Sequence, residues 1–132
     1  MIIAYYSRTG NVADFLDWYL MPILGERFEA RNIEEWDFVD EPYILVTPTY
    51  STEEITEEVA EWLEVPRANG CQMIGVVGSG NMNFGNAFCL TARIIEEEYK
   101  VPLLGEFELK GSPHVAEQVK ERIEELLRNR KD

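Results

Sequence analysis

The sequence predicts an α/β protein in which a five-stranded parallel sheet lies between two layers of helices. Three observations predict it. Short apolar runs of strand length recur between turn residues, the hydrophobic spacing switches to threes and fours between them, and the two patterns alternate five times. Parallel neighbours need crossover connections, helices supply them, and those crossovers are right-handed, so alternation implies a sheet covered on both faces. The 132 residues contain no repeat, low-complexity tract or linker, and this length supports one domain spanning residues 1–132. Such a chain buries about two thirds of its unfolded surface, enough for a core without disulfides or metals.

Residues 2–6, Ile-Ile-Ala-Tyr-Tyr, are the first strand, apolar throughout as a strand covered on both faces should be. From Asn11 the period changes. Val12, Phe15, Leu16, Tyr19, Leu20 and Ile23 form one helical face, which Pro22 is expected to kink or end. Residues 27–33 are a weaker strand with no clear helix after it, and residues 43–46 are a stronger strand closed by Pro48. Ile55, Val59, Trp62 and Leu63 make the next helical stripe, and Asn69-Gly70 is a turn signal. Residues 73–77 are a buried strand; Phe84, Ala87, Phe88, Thr91, Ile94 and Ile95 form a third helical face. Residues 103–109 alternate as a sheet edge. Ser112 then caps a last helix, with Pro113 at its first position and Val115, Val119, Ile123, Leu126 and Leu127 on its inner face.

Five strands wound in this way fit the flavodoxin-like three-layer sandwich, with strand order 2-1-3-4-5. Strands one, three and four then lie side by side, and ligands of open α/β sheets bind beyond the carboxyl ends of the strands where the winding reverses. The functional question narrows to three loops: residues 7–11, 47–54 and 79–88.

Twelve basic against 25 acidic residues give a formal charge of −13, with 45% hydrophobic residues. That balance repels phosphodiester backbones and anionic lipid surfaces, so neither nucleic acid nor membrane is expected as a partner; a basic docking face on another protein suits it. Cys71 and Cys89 form no short pair and read as reduced thiols packed as small hydrophobes. Without a basic leader or a run of about 20 apolar residues, the chain is expected to be cytoplasmic.

The first loop, Ser7-Arg8-Thr9-Gly10-Asn11, follows a strand and opens a helix, a position that favours an anion. Ser7 and Thr9 offer hydroxyls, Gly10 lets the backbone fold closely round an oxyanion, and Asn11 can cap the helix. An ordinary capped turn has the same composition. No Gly-Lys-Ser/Thr follows, which excludes a P-loop. The third loop, Gly78-Ser79-Gly80-Asn81-Met82-Asn83-Phe84-Gly85-Asn86, places three glycines and three asparagines between a strand and a helix. Such a segment brings backbone close to something flat or tightly held. Phe84 and Phe88 suit either contact with an aromatic ring or the core. In the middle loop Tyr50 is a possible stacking platform, and Glu53 and Glu54 either begin a helix or face a redox ring. His114 is the single histidine, so a His-based triad or zinc site has nothing to be built from. Neither cysteine has an adjacent histidine, and the first strand ends in Tyr5-Tyr6 where a receiver domain would carry an acidic pocket. No side chain is assigned as a catalytic acid, base or metal ligand.

Loop by loop the chain resembles the NrdI family, flavodoxin-like activators of ribonucleotide reductase. Ser79-Gly80-Asn81-Met82-Asn83-Phe84-Gly85, continued by Ala87-Phe88-Cys89-Leu90, resembles that family's signature. Val101-Pro102 and Phe107-Glu108-Leu109-Lys110-Gly111 resemble its next landmarks, and Ser7-Arg8-Thr9-Gly10-Asn11-Val12 resembles its phosphate loop. The resemblance implies FMN as cofactor. Its phosphate would sit on Ser7, Thr9, Gly10, Asn11 and Val12, with Arg8 of the same loop among the cofactor-binding residues. The ring would lie between Pro48, Thr49 and Tyr50 on one side and Ser79, Gly80, Asn81, Asn83, Phe84, Gly85 and Phe88 on the other. It further implies a flavodoxin-reducing electron donor, dioxygen as substrate, and delivery of superoxide or peroxide to the dimanganese site of the class Ib small subunit, which makes the tyrosyl radical. The protein then acts as an oxidant donor rather than a conventional enzyme. Many relatives have a glycine-rich stretch where this chain has Ser51-Thr52-Glu53-Glu54, and an acidic residue is frequent among them at the position of Asn86. A short electron-transfer flavodoxin and a flavin-free interaction domain are the alternative readings.

Overall fold

The computed structural model describes residues 1–35, 41–49, 57–64, 72–81 and 89–130. Along the chain run β1 (Ile2–Tyr5), α1 (Asn11–Phe15), a π-helical turn (Leu16–Leu20), α2 (Met21–Leu24) and β2 (Glu29–Asn32). A 3-10 turn (Ile33–Glu35), β3 (Tyr43–Thr47), α3 (Glu57–Glu64), β4 (Met73–Gly80), α4 (Leu90–Tyr99), β5 (Leu103–Glu108) and α5 (Pro113–Asn129) follow. Every pairing in the sheet is parallel and the order is β2-β1-β3-β4-β5, as the sequence predicts. The turn at Asn69-Gly70, Ile55, and the apolar positions 84, 87 and 88 lie outside the described residues.

The central strands read as continuous apolar runs because each face of the sheet has its own core. Ile3, Ile44 and Val46 join Val12, Phe15, Leu16 and Leu20 of the first helical stretch and Ala116, Val119 and Ile123 of α5. Their neighbours Ile2, Ala4, Tyr43 and Leu45 point to the opposite face, among Val59, Trp62 and Leu63 of α3 and Ala92 and Ile95 of α4. The period of two is present in the packing although the sequence hides it.

Three departures from the sequence reading have physical causes. Pro22 neither ends nor breaks its helix. It stands in the first turn of α2, and because it has no N–H to give to the carbonyl four residues back, the hydrogen-bond ladder widens over Leu16–Leu20. Trp18, in the middle of that turn, is 56% exposed. The second departure is β4, which runs through Gly78, Ser79 and Gly80, paired with Glu106, Phe107 and Glu108 of β5. Gly78 is there for packing, since a Cβ on it would stand 2.6 Å from the Cβ of Ala92, so glycine lets α4 close on the strand. Third, β5 stops at Glu108, because Leu109 turns to a φ of 53°. The final helix starts as expected, with the Ser112 hydroxyl accepting from the Val115 N–H at 3.2 Å and Pro113 at its first position. Among the described residues no helix is long and apolar enough to cross a membrane.

Candidate functional site

In a parallel sheet all carboxyl ends share one rim. Here β1 has β2 on one side and β3 on the other, so the chain reverses its winding between β1 and β3 and leaves a crevice there. A cavity of about 160 Å³ occupies that rim. Thr9 and Asn11 come to it from the first loop, Pro48 and Thr49 from the second, and Ser79, Gly80 and Asn81 from the third, with Leu109 completing the wall. Segments far apart in sequence therefore meet at one place.

The first loop is built around Gly10, whose φ of 92° starts α1 in a left-handed conformation. The Gly10 carbonyl accepts from the Asp14 N–H at 2.9 Å, the first bond of the helix, and the Ser7 hydroxyl accepts from the Ala13 N–H at 3.1 Å. The N–H groups of Asn11 and Val12 precede the first intrahelical bond and have no helical carbonyl to meet. A Cβ built on Gly10 has no atom within 4 Å beyond its chain neighbours, so the space beside this turn is open there. Hydroxyls, amide donors and open space together fit a phosphate, whose oxygens only accept.

Of the six candidate residues in this loop Thr9 and Asn11 line the cavity, while Ser7, Arg8, Gly10 and Val12 do not. The Arg8 Nη2 meets both carboxylate oxygens of Glu58 on α3 at 3.1 Å, tying the loop to the helix that follows the second loop. The Glu58 carboxyl is held below its ordinary range, first by its own backbone N–H and then, against burial, by Tyr6 and Arg8. The Val12 side chain, 1% exposed, belongs to the core beneath the loop.

The other walls are fastened by hydrogen bonds. The Thr49 hydroxyl oxygen, buried, accepts from the Thr91 N–H at 3.2 Å and fastens the second loop to the start of α4. Across the cavity the Leu109 N–H donates to the Gly80 carbonyl at 2.9 Å, and the Ser79 hydroxyl donates to the Leu109 carbonyl at 3.3 Å. Leu109 was not a sequence candidate. Its signal is structural: a left-handed leucine, 47% exposed, held by two bonds to the neighbouring strand. Tyr50, Asn83, Phe84, Gly85 and Phe88 lie outside the described residues, as do Glu53, Glu54 and Asn86.

Among the described residues two ion pairs stand near the rim, Arg8 with Glu58 and Lys110 with Asp14. Lys110 meets the Asp14 carboxylate across the turn after β5, and its ammonium lies 5.3 Å from the centre of the Trp18 ring. His114 is exposed at the start of α5, and among the described residues no three His, Cys, Asp or Glu side chains gather as a metal site would require.

Cys89 is buried immediately before α4, with its thiol 3.8 Å from the Phe107 carbonyl, and burial pushes that thiol up to about 12. At pH 8 almost none of it is thiolate. In a Cys71→Ser variant, alkylation of native protein is expected to run about a thousandfold slower than after unfolding. Comparable rates, followed by mass spectrometry, would contradict the buried position.

A family model described as "NrdI Flavodoxin like" matches residues 3–121. A protein named NrdI from Bartonella tribocorum is 38% identical over 130 residues, covering 94% of this chain and 93% of the relative. Another, from Macrococcus caseolyticus, is 32% identical over 126 residues, covering 96% and 91%. Among solved structures, the flavodoxin of Fusobacterium nucleatum bound to flavin mononucleotide superposes with a TM-score of 0.66 at 18% identity, over 97% of this chain and 96% of that one.

Proposed function

We propose a function from one premise: the chain belongs to the NrdI flavodoxin-like family. It is an FMN flavoprotein that activates ribonucleotide reductase, docking on the class Ib small subunit and delivering the oxidant from which that subunit makes its tyrosyl radical. The observation that carries this reading is the convergence of the three loops on one cavity at the winding reversal, with open space and amide donors at the Gly10 end. On this reading Ser7, Thr9, Gly10, Asn11 and Val12 would hold the phosphate, with Pro48, Thr49 and Tyr50 toward one side of the ring and Ser79, Gly80, Asn81, Asn83, Phe84, Gly85 and Phe88 toward the other. Bound FMN supplies the redox chemistry, the reduction of dioxygen to superoxide or peroxide.

The chain's own residues bind, orient and shield. Thr49, anchored on α4, and Gly80, anchored through Leu109, hold the two walls at a fixed separation. Leu109 adds apolar surface to the cavity wall. Arg8 is assigned to the phosphate loop as the residue that fastens it to α3 through Glu58, rather than by its charge. The formal charge of −13 favours docking on a basic face of the small subunit, and an electron donor that reduces flavodoxins would supply the electrons.

The test mixes the reduced protein, in air, with a manganese-loaded small subunit and reads tyrosyl radical by electron paramagnetic resonance. Radical well above a flavin-free control is expected. A protein that binds FMN yet gives none is an electron-transfer flavodoxin. A colourless protein that takes up no added FMN is a flavin-free interaction domain.

A further inference from the structure

The ion pair beside the cavity joins two segments that the three loops do not account for. Asp14 lies on the first turn of α1, where its N–H donates to Gly10, and Lys110 reaches its carboxylate from the turn after β5. That turn carries Leu109 into the cavity wall beside Thr9 and Asn11 and is pinned to Gly80 and Ser79 of β4. The Lys110 ammonium is thus held between the Asp14 carboxylate and the Trp18 ring, one helical turn from Gly10.

A carboxylate at this position helps an empty helix start, because it complements the exposed N–H groups. An anion arriving at the same loop meets that carboxylate as like charge. In a chain of formal charge −13, with Arg8 engaged by Glu58, the conflict needs a local cation, and Lys110 stands where it cancels Asp14. We infer that Lys110 is a positioning residue for the phosphate: by neutralising and fixing Asp14 it lets residues 7–12 accept a dianion without itself touching it. This rests on the FMN reading and deepens it, because it makes affinity for the phosphate half of the ligand depend on a residue outside the three loops.

The test titrates flavin-free protein with FMN and with riboflavin, which lacks the phosphate. With an unpaired carboxylate one helical turn from Gly10, Lys110→Met is expected to weaken FMN binding about tenfold. Riboflavin affinity stays unchanged, and Lys110→Arg behaves as wild type. Adding Asp14→Asn to Lys110→Met returns FMN affinity to within about twofold of wild type. The pair's side chains are 43% and 30% exposed, so it contributes little to stability and the variants keep the wild-type melting temperature. Equal loss for the two flavins, or no recovery in the double variant, overturns the inference. Undiminished FMN binding by Lys110→Met overturns it alone. Wild-type protein that binds neither flavin overturns the functional reading and this inference with it.

Discussion

Replacing Gly10 with valine is expected to weaken FMN binding by about 2 kcal/mol or more, roughly thirtyfold. Two causes add. Gly10 has a φ of 92°, where a β-branched residue is strained by about 1–2 kcal/mol. The free protein would relieve that strain by leaving the left-handed conformation, and would lose the turn that aims the Asn11 and Val12 amides. Beyond its chain neighbours no protein atom lies within 4 Å of the position a Cβ would take, so a clash at Cβ is not among the causes; on the FMN reading the second cause is competition between the side chain and the phosphate for that space. Gly10→Asn separates the causes, because asparagine tolerates this backbone while still filling the space. Isothermal titration of the three proteins measures both effects. Wild-type affinity in the valine variant would mean that residues 7–12 do not hold the phosphate.

The largest loss of stability is expected from Gly111→Ala, about 3 kcal/mol, or about 10 °C in the thermal midpoint. Gly111 has a φ of 72°, and a Cβ on it would stand 2.6 Å from Phe15 Cδ1, 3.0 Å from Phe15 Cε1 and 3.1 Å from Phe107 Cδ2. Those rings are stacked with centres 4.0 Å apart and are 0% and 2% exposed, so neither has room to retreat. Gly25→Ala is the control. Its φ of 81° is as unfavourable, yet no atom lies within 4 Å, so only the backbone strain remains, about 1 kcal/mol. Thermal unfolding followed by circular dichroism compares them, and equal midpoints would show that the contact with Phe15 is not limiting. Because the Gly111 turn also carries Leu109, the variant is expected to lose flavin affinity as well.

The fold was legible because its signals are local and redundant. The run at 2–6, the stripe through Val12, Phe15 and Leu16, and the Ser112-Pro113 start each imply one element, and their alternation leaves few topologies. The end of β4 was not legible as strand, since Gly78-Ser79-Gly80 has the composition of a loop; Gly78 answers to α4, a neighbour no local pattern reveals. Pro22 misleads for a related reason, because widening the ladder by one residue accommodates it where a local rule expects a stop. At the site, the loop positions Thr9, Asn11, Thr49 and Asn81 followed from topology, which fixes the rim on which they meet. Leu109 did not, because its role depends on a left-handed backbone and bonds to β4 that leave no trace in residue type. Arg8 is a candidate only through the family resemblance of its loop, and its guanidinium faces Glu58, 50 positions away in the chain.

The most direct measurement of the central claim is a two-dimensional amide NMR titration of the flavin-free, isotope-labelled protein with FMN. The account predicts that the largest shifts fall together on Thr9, Gly10, Asn11, Thr49, Gly80, Asn81 and Leu109, while the opposite end of the sheet, around Leu103 and Arg122, stays unmoved. Shifts confined to that opposite end, or no shifts at saturating FMN, would contradict it.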